Sequence, residues 1–174
     1  ADLDDLTGTG NAYTITVGTA QVTAAALKAV DAATTVNVTA TAVTQITGSA
    51  ADLADVYGGG ISDLGNETII LTDTTLAAAT LTPTVNGYSS VAINANSVTT
   101  LTGTNAEIVA AYAADTAGTV IIDGDAKLTV SDNITSTEAN VLDAKTTGVI
   151  TATISTTAIA DLDDLTGTGN AYTI

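Results

Sequence analysis

The sequence predicts a right-handed β-solenoid, built from parallel strand coils of about 26 residues with short helices or turns along one side. A classical parallel β-helix is the nearest alternative. Three observations carry the prediction. Residues 1–15 return unchanged at 160–174, an offset of 159 residues. Inside that period a looser repeat sets Ile46–Tyr57 against Leu101–Tyr112 and Val36–Thr41 against Val91–Asn96, both at an offset of 55. Strand-like segments also keep aliphatic residues on one face and short polar residues on the other, as in a sheet covered on a single side. Units that cannot bury a face alone are stabilised by stacking on their neighbours.

Taken in order, the opening copy sets Leu3 and Leu6 at helical spacing, turns at Gly8 and Gly10, and enters a strand at Tyr13 and Ile15. Alternation extends that strand over 13–18, with Thr14 and Thr16 opposite Tyr13, Ile15 and Val17. Leu27 and Val30 share a helix face. A strand over 36–42 then sets Val36, Val38 and Ala40 against Asn37, Thr39 and Thr41. Ser49 and Asp52 stand at the spacing of a capping box, in which a hydroxyl takes the first free amides and an acid reaches back. Leu53, Val56 and Tyr57 face that helix, and Gly58-Gly59-Gly60 ends it. The strand over 68–74 is less regular, because Ile70 falls on the Thr face. The 76–88 connection, with Pro83 and Gly87, reads as an irregular turn.

After a strand over 90–96, Thr104 and Glu107 open a helix faced by Ile108, Ala111 and Tyr112, with Gly118 beyond it. A strand over 119–131, bent at Gly124, leads to a third cap at Thr135 and Glu138, and a last strand spans 149–155. Leu162 and Leu165 then repeat the opening helix. A doubly wound sheet would need apolar side chains on both strand faces, so one-sided strands backed by helices favour stacked coils. Residues 1–174 read as one continuous segment, a 159-residue period plus a 15-residue overlap of a tandem array.

Composition narrows function by exclusion. The chain has no His and no Cys, so neither a Ser/His/Asp nor a Cys/His arrangement can be assembled. Acid pairs such as Asp161 and Asp163 stand two apart on a helix start and face apart. The chain is not expected to be an enzyme. Nineteen acids against Lys28, Lys127 and Lys145 give a formal charge of −16. Such a field repels nucleic acid and anionic lipid, and it keeps an apolar, strand-rich protein soluble. No apolar run of about 18 residues offers a membrane insertion.

Calcium is the cofactor these side chains allow, since a hard cation takes oxygen ligands. Asp123 and Asp125 flank Gly124, with Asp132 close in sequence. Asp63 closes Gly58-Gly59-Gly60-Ile61-Ser62-Asp63, which is similar to the nonapeptide of calcium-binding β-rolls except that Ile61 stands where that motif has Gly. The polar strand faces form a second candidate. Thr14 and Thr16, Thr39 and Thr41, Thr72 and Thr74, Asn94 and Asn96, Thr129 and Ser131, and Thr151 and Thr153 give one polar pair per coil. Stacked in register they form a surface ladder with ~4.8 Å between strands and ~7 Å along each strand. The array resembles the face of solenoid ice-binding proteins, and it would equally present a flat surface to a glycan or a neighbouring repeat.

Units such as Leu101-Thr102-Gly103-Thr104-Asn105-Ala106-Glu107 and Val149-Ile150-Thr151-Ala152-Thr153-Ile154-Ser155 resemble very large Thr- and Ala-rich secreted repeat proteins of bacteria, especially cyanobacteria. The resemblance implies an extracellular or cell-surface location and a surface-layer, sheath, filament or adhesin role, often with calcium. Copies of itself or neighbouring repeats, and glycans, are the implied partners. A structural segment that stacks end to end is the leading expectation, with an adhesin-like glycan-binding or ice-binding module as the alternative.

Overall fold

The computed structural model describes residues 10–155 and 158–174. Leu3, Leu6 and Gly8, assigned above to a helix and turn, lie outside them. The chain runs through β1 (Gln21–Thr23), α1 (Ala24–Ala32), β2 (Val38–Thr39), β3 (Gln45–Gly48), α2 (Ala50–Gly58), β4 (Ile61–Ser62), β5 (Thr68–Leu71) and β6 (Thr75–Ala77). A π-helical turn at Thr80–Thr84 and a 3-10 turn at Val85–Gly87 occupy the connection read as irregular, and the Thr82–Pro83 peptide is cis. There follow β7 (Ile93–Ala95), β8 (Thr100–Gly103), α3 (Asn105–Thr116), β9 (Val120–Ile122), β10 (Lys127–Ile134), α4 (Ser136–Asp143), β11 (Ile150–Ile154), α5 (Ile159–Leu162) and β12 (Ala171–Thr173).

These strands divide between two five-stranded sheets, ordered β1-β3-β5-β7-β9 and β12-β11-β10-β8-β6, and a two-stranded sheet of β2 and β4. All pairings are parallel. The architecture is a compact α/β domain, which corrects the expected solenoid and its parallel β-helix alternative. The correction has a physical cause. Alternation reveals which side of a strand is buried, but it carries no information about which sheet the strand joins. Strands of two to four residues, such as β1, β4, β6 and β8, are also too short to alternate visibly. The 55-residue repeat shows the same point: β3 and β8 are its equivalent strands, yet they lie in different sheets.

Register explains the core. In the first sheet Val22, Ile46 and Ile69 align, the latter two fully buried, and Ile93 aligns with Val120. In the second sheet Leu76, Leu101, Leu128 and Ile150 form one buried row. Helices close over these rows largely with the faces their spacing predicts, although Val30 and Tyr57 are only half-buried and the face of α4 is not among those predicted. Leu27 in α1, Leu53 and Val56 in α2, Ile108, Ala111 and Tyr112 in α3, and Leu142 in α4 are all buried. Small residues let helix and strand approach closely: a Cβ placed on Gly48 would stand 2.5 Å from that of Ala24.

The caps form as the sequence requires, with one difference. Thr104 with Glu107 and Thr135 with Glu138 make complete capping boxes. At α2 the Ser49 hydroxyl accepts from the Asp52 amide and donates to the Asp52 carboxylate, and the first helical amide, of Ala50, is taken by Asp73 from the following strand connection at 2.8 Å. Asp132 does the same for Asn105 at the start of α3, also at 2.8 Å. Acids thus sit where the helix macrodipole favours them.

Candidate functional site

The outward faces of the two large sheets are the surface the sequence singled out, and the structure distributes the twelve ladder residues among several places. Thr129 and Thr151 are register neighbours in the second sheet. Thr153 is flanked there by Asn133 and Thr173. Asn94 belongs to the first sheet, between Ile70 and Ile121. Thr39 lies in β2 and forms an isolated parallel bridge with Thr16. Thr14, Thr41, Thr72, Thr74 and Asn96 lie outside the strands, and all five are exposed. Ser131 sits in an irregularity of β10, where the register slips between Thr129 and Asn133, so Asn133 takes the position beside Thr153.

The continuous hydroxyl row is Thr102, Thr129 and Thr151, bounded by Ala77 and Ala171. Sequence reading missed Thr102 because β8 is short. The repeat held the signal, since Gln45-Ile46-Thr47-Gly48 and Thr100-Leu101-Thr102-Gly103 are equivalent strands. The matching row of the first sheet, Thr23, Thr47, Ile70, Asn94 and Ile121, is interrupted by two isoleucines.

Many other hydroxyls are consumed internally. Thr34 donates to the Tyr13 carbonyl at 2.7 Å and accepts from the Val36 amide. Ser89 does the same between the Glu67 carbonyl, at 2.6 Å, and the Val91 amide. Thr146 repeats it between the Ala126 carbonyl, at 2.6 Å, and the Gly148 amide. Each brace ties a turn to chain 20 to 22 residues earlier. Part of the Thr and Ser abundance is therefore structural.

The acids considered for calcium are dispersed. Asp132 is exposed on β10 and caps α3. Asp123 and Asp125 lie at the turn between β9 and β10. Asp63 has a positive φ of 65° and accepts from the Ser62 hydroxyl. Among the described residues no group of three or more acidic side chains is gathered as a metal site would need. Among the described residues the buried acid is elsewhere. Glu67 is 0% exposed and accepts from the Tyr57 hydroxyl at 3.0 Å and from the Gly65 amide at 2.8 Å. The Tyr57 ring stacks on Tyr88 with centroids 4.5 Å apart. Burial, and then the Glu67 carboxylate, push the Tyr57 hydroxyl well above the usual tyrosine range.

Two further features adjoin the second copy of the repeated stretch. An open polar cleft of about 330 Å³ is lined by Asp143, Thr146, Gly148, Thr166, Gly167 and Asn170, among others. Asn170 anchors the segment, accepting from the Ile150 amide and donating to Asp143 and to the Tyr172 hydroxyl. No helix among the described residues is long and apolar enough to cross a membrane. No family model matches the chain, and no curated protein or solved structure matches it significantly.

Proposed function

We propose that the chain is a structural repeat segment of a long extracellular bacterial protein, which forms a surface layer, sheath or filament by end-to-end and lateral stacking. The observation that carries this reading is the pair of open parallel sheets. One ends on β1 and β9, the other on β6 and β12. Edge strands present rows of unpaired amides and carbonyls that another unit can extend. The polar brace and cap chemistry holds the interior, and the negative field of −16 limits indiscriminate association.

Light scattering and negative-stain microscopy over a concentration series test the reading. Elongated particles that lengthen with concentration are expected, and a strictly monomeric particle throughout would overturn it. The hydroxyl row of Thr102, Thr129 and Thr151 supports a second reading, a flat surface that binds a glycan or ice. Thermal hysteresis or glycan retention that disappears in Thr129→Leu plus Thr151→Leu is the outcome that reading requires.

A further inference from the structure

The first sheet has one face that no described residue covers. Its outward positions form two rows in register: Gln21, Gln45 and Thr68, then Thr23, Thr47, Ile70, Asn94 and Ile121. The residues between them, such as Ile46, Ile69, Ile93 and Val120, turn inward and are fully buried. None of the outward residues is buried, and Ile121 is 44% exposed.

Two properties of this face point to a partner. A sheet whose strands all run parallel is ordinarily covered on both sides, and every pairing in this sheet is parallel. The second property is charge. The chain carries 19 acids, yet the five strands of this sheet hold no charged residue. Among the described residues two charged side chains fall in strands, Lys127 and Asp132, and both belong to β10 of the other sheet. Asp73 and Asp123 follow β5 and β9 closely and stand at the rim of the face. Exposed positions are where charged residues normally sit, so a chain this acidic has set one flat face apart. Ile70 and Ile121 also take two hydrogen-bonding positions out of the longer row, which favours a packed protein surface over a saccharide.

We infer that the outward face of the first sheet packs on the same face of a second copy of this chain. The inference rests on the stacking reading above and names its lateral contact. Two units of −16 repel wherever their acids meet, and through this face they meet without any. A two-fold axis along the row from Thr23 to Ile121, midway between the sheets, sets each residue opposite its own counterpart. Isoleucine then meets isoleucine and threonine meets threonine. The facing strands run antiparallel, which sends the two Asp123 rims to opposite ends. The face measures roughly 20 Å across its five strands and 10 Å along them, well under the about 800 Å² per partner of a standard interface. One pair of units therefore joins weakly, and the contact strengthens where several units lie side by side.

Sedimentation velocity over a concentration series reaching about 1 mM, the range of a weak contact, tests the face. A dimer that dissociates on dilution is expected. Ile121→Asp should weaken it about tenfold, because an unpaired charge is then buried in the contact. Thr75→Asp puts the same charge on an exposed residue of the second sheet and should leave the dimer unchanged. Melting temperatures close to the wild type in both variants show that folding is kept. An independent measurement uses the absence of cysteine from the chain. A bis-maleimide spanning about 10 Å, the spacing of packed sheets, should join Thr47→Cys chains to each other much faster than Thr75→Cys chains. Association that survives Ile121→Asp, or that Thr75→Asp weakens equally, would overturn this face and leave the stacking reading standing. Retention on a polysaccharide column that Ile121→Asp abolishes, with no self-association, would give the face to a glycan instead. A chain that stays monomeric throughout, with equal crosslinking at 47 and 75, would overturn both readings.

Discussion

Glu67 is a carboxylate fully removed from water and held by the Tyr57 hydroxyl and the Gly65 amide. A buried acceptor that loses a partner is costly, so Tyr57→Phe should destabilise the fold by about 1–3 kcal/mol, read by urea unfolding at neutral pH. The pair also sets an alkaline limit. The folded Tyr57 hydroxyl ionises only above the usual range, because burial and then Glu67 oppose its charge. A raised folded value contributes stability that is fully present below the unfolded value, about 10, and is lost as pH rises towards the folded one. Wild-type stability is therefore expected to decline from about pH 10 upward, and less steeply in Tyr57→Phe. Equal alkaline slopes would remove Tyr57 from the account.

Helices were the most legible elements, because a cap and a spaced apolar face are local signals. Thr135 with Glu138 marks the start of α4, and the box forms. The Thr135 amide, then its hydroxyl, hold the Glu138 carboxyl below its ordinary value. A lowered folded value gives stability that is present above the unfolded value, about 4.3, and is lost as pH falls through the folded one. Glu138→Gln should melt below the wild type at pH 7, and the gap should close as the pH is taken below about 4. A gap that persists in acid would assign it to something other than the carboxylate. Strands were legible only in part. The burial of Ile15, Val17, Val38 and Ala40 follows from alternation, but β1, β6 and β8 give too few residues to alternate. Their partners come from distant chain, so sheet membership stayed hidden. Ser131 shows the limit most plainly: it keeps the polar-x-polar spacing, and the slip in β10 hands its ladder position to Asn133.

At the scale of the whole molecule, charge and association oppose each other. A unit carrying −16, with three lysines, of which Lys28 is bound to Asp52 and Asp55, repels itself and every further unit. Like charges spread over a surface interact across roughly one Debye length, which shrinks from about 30 Å at 0.01 M salt to about 8 Å at 0.15 M. Burial of apolar rows is much less sensitive to salt over that range. Raising a simple monovalent salt from 0.01 to 0.15 M should therefore raise the melting temperature of the single unit and lower the concentration at which particles lengthen. The second effect should be the larger, because joining units brings two whole negative fields together, whereas folding only compacts one. Paired melting and light-scattering series in sodium chloride separate the two responses. Association that weakens with salt would mean that the contact is ionic, and apolar burial would then not be what joins the units.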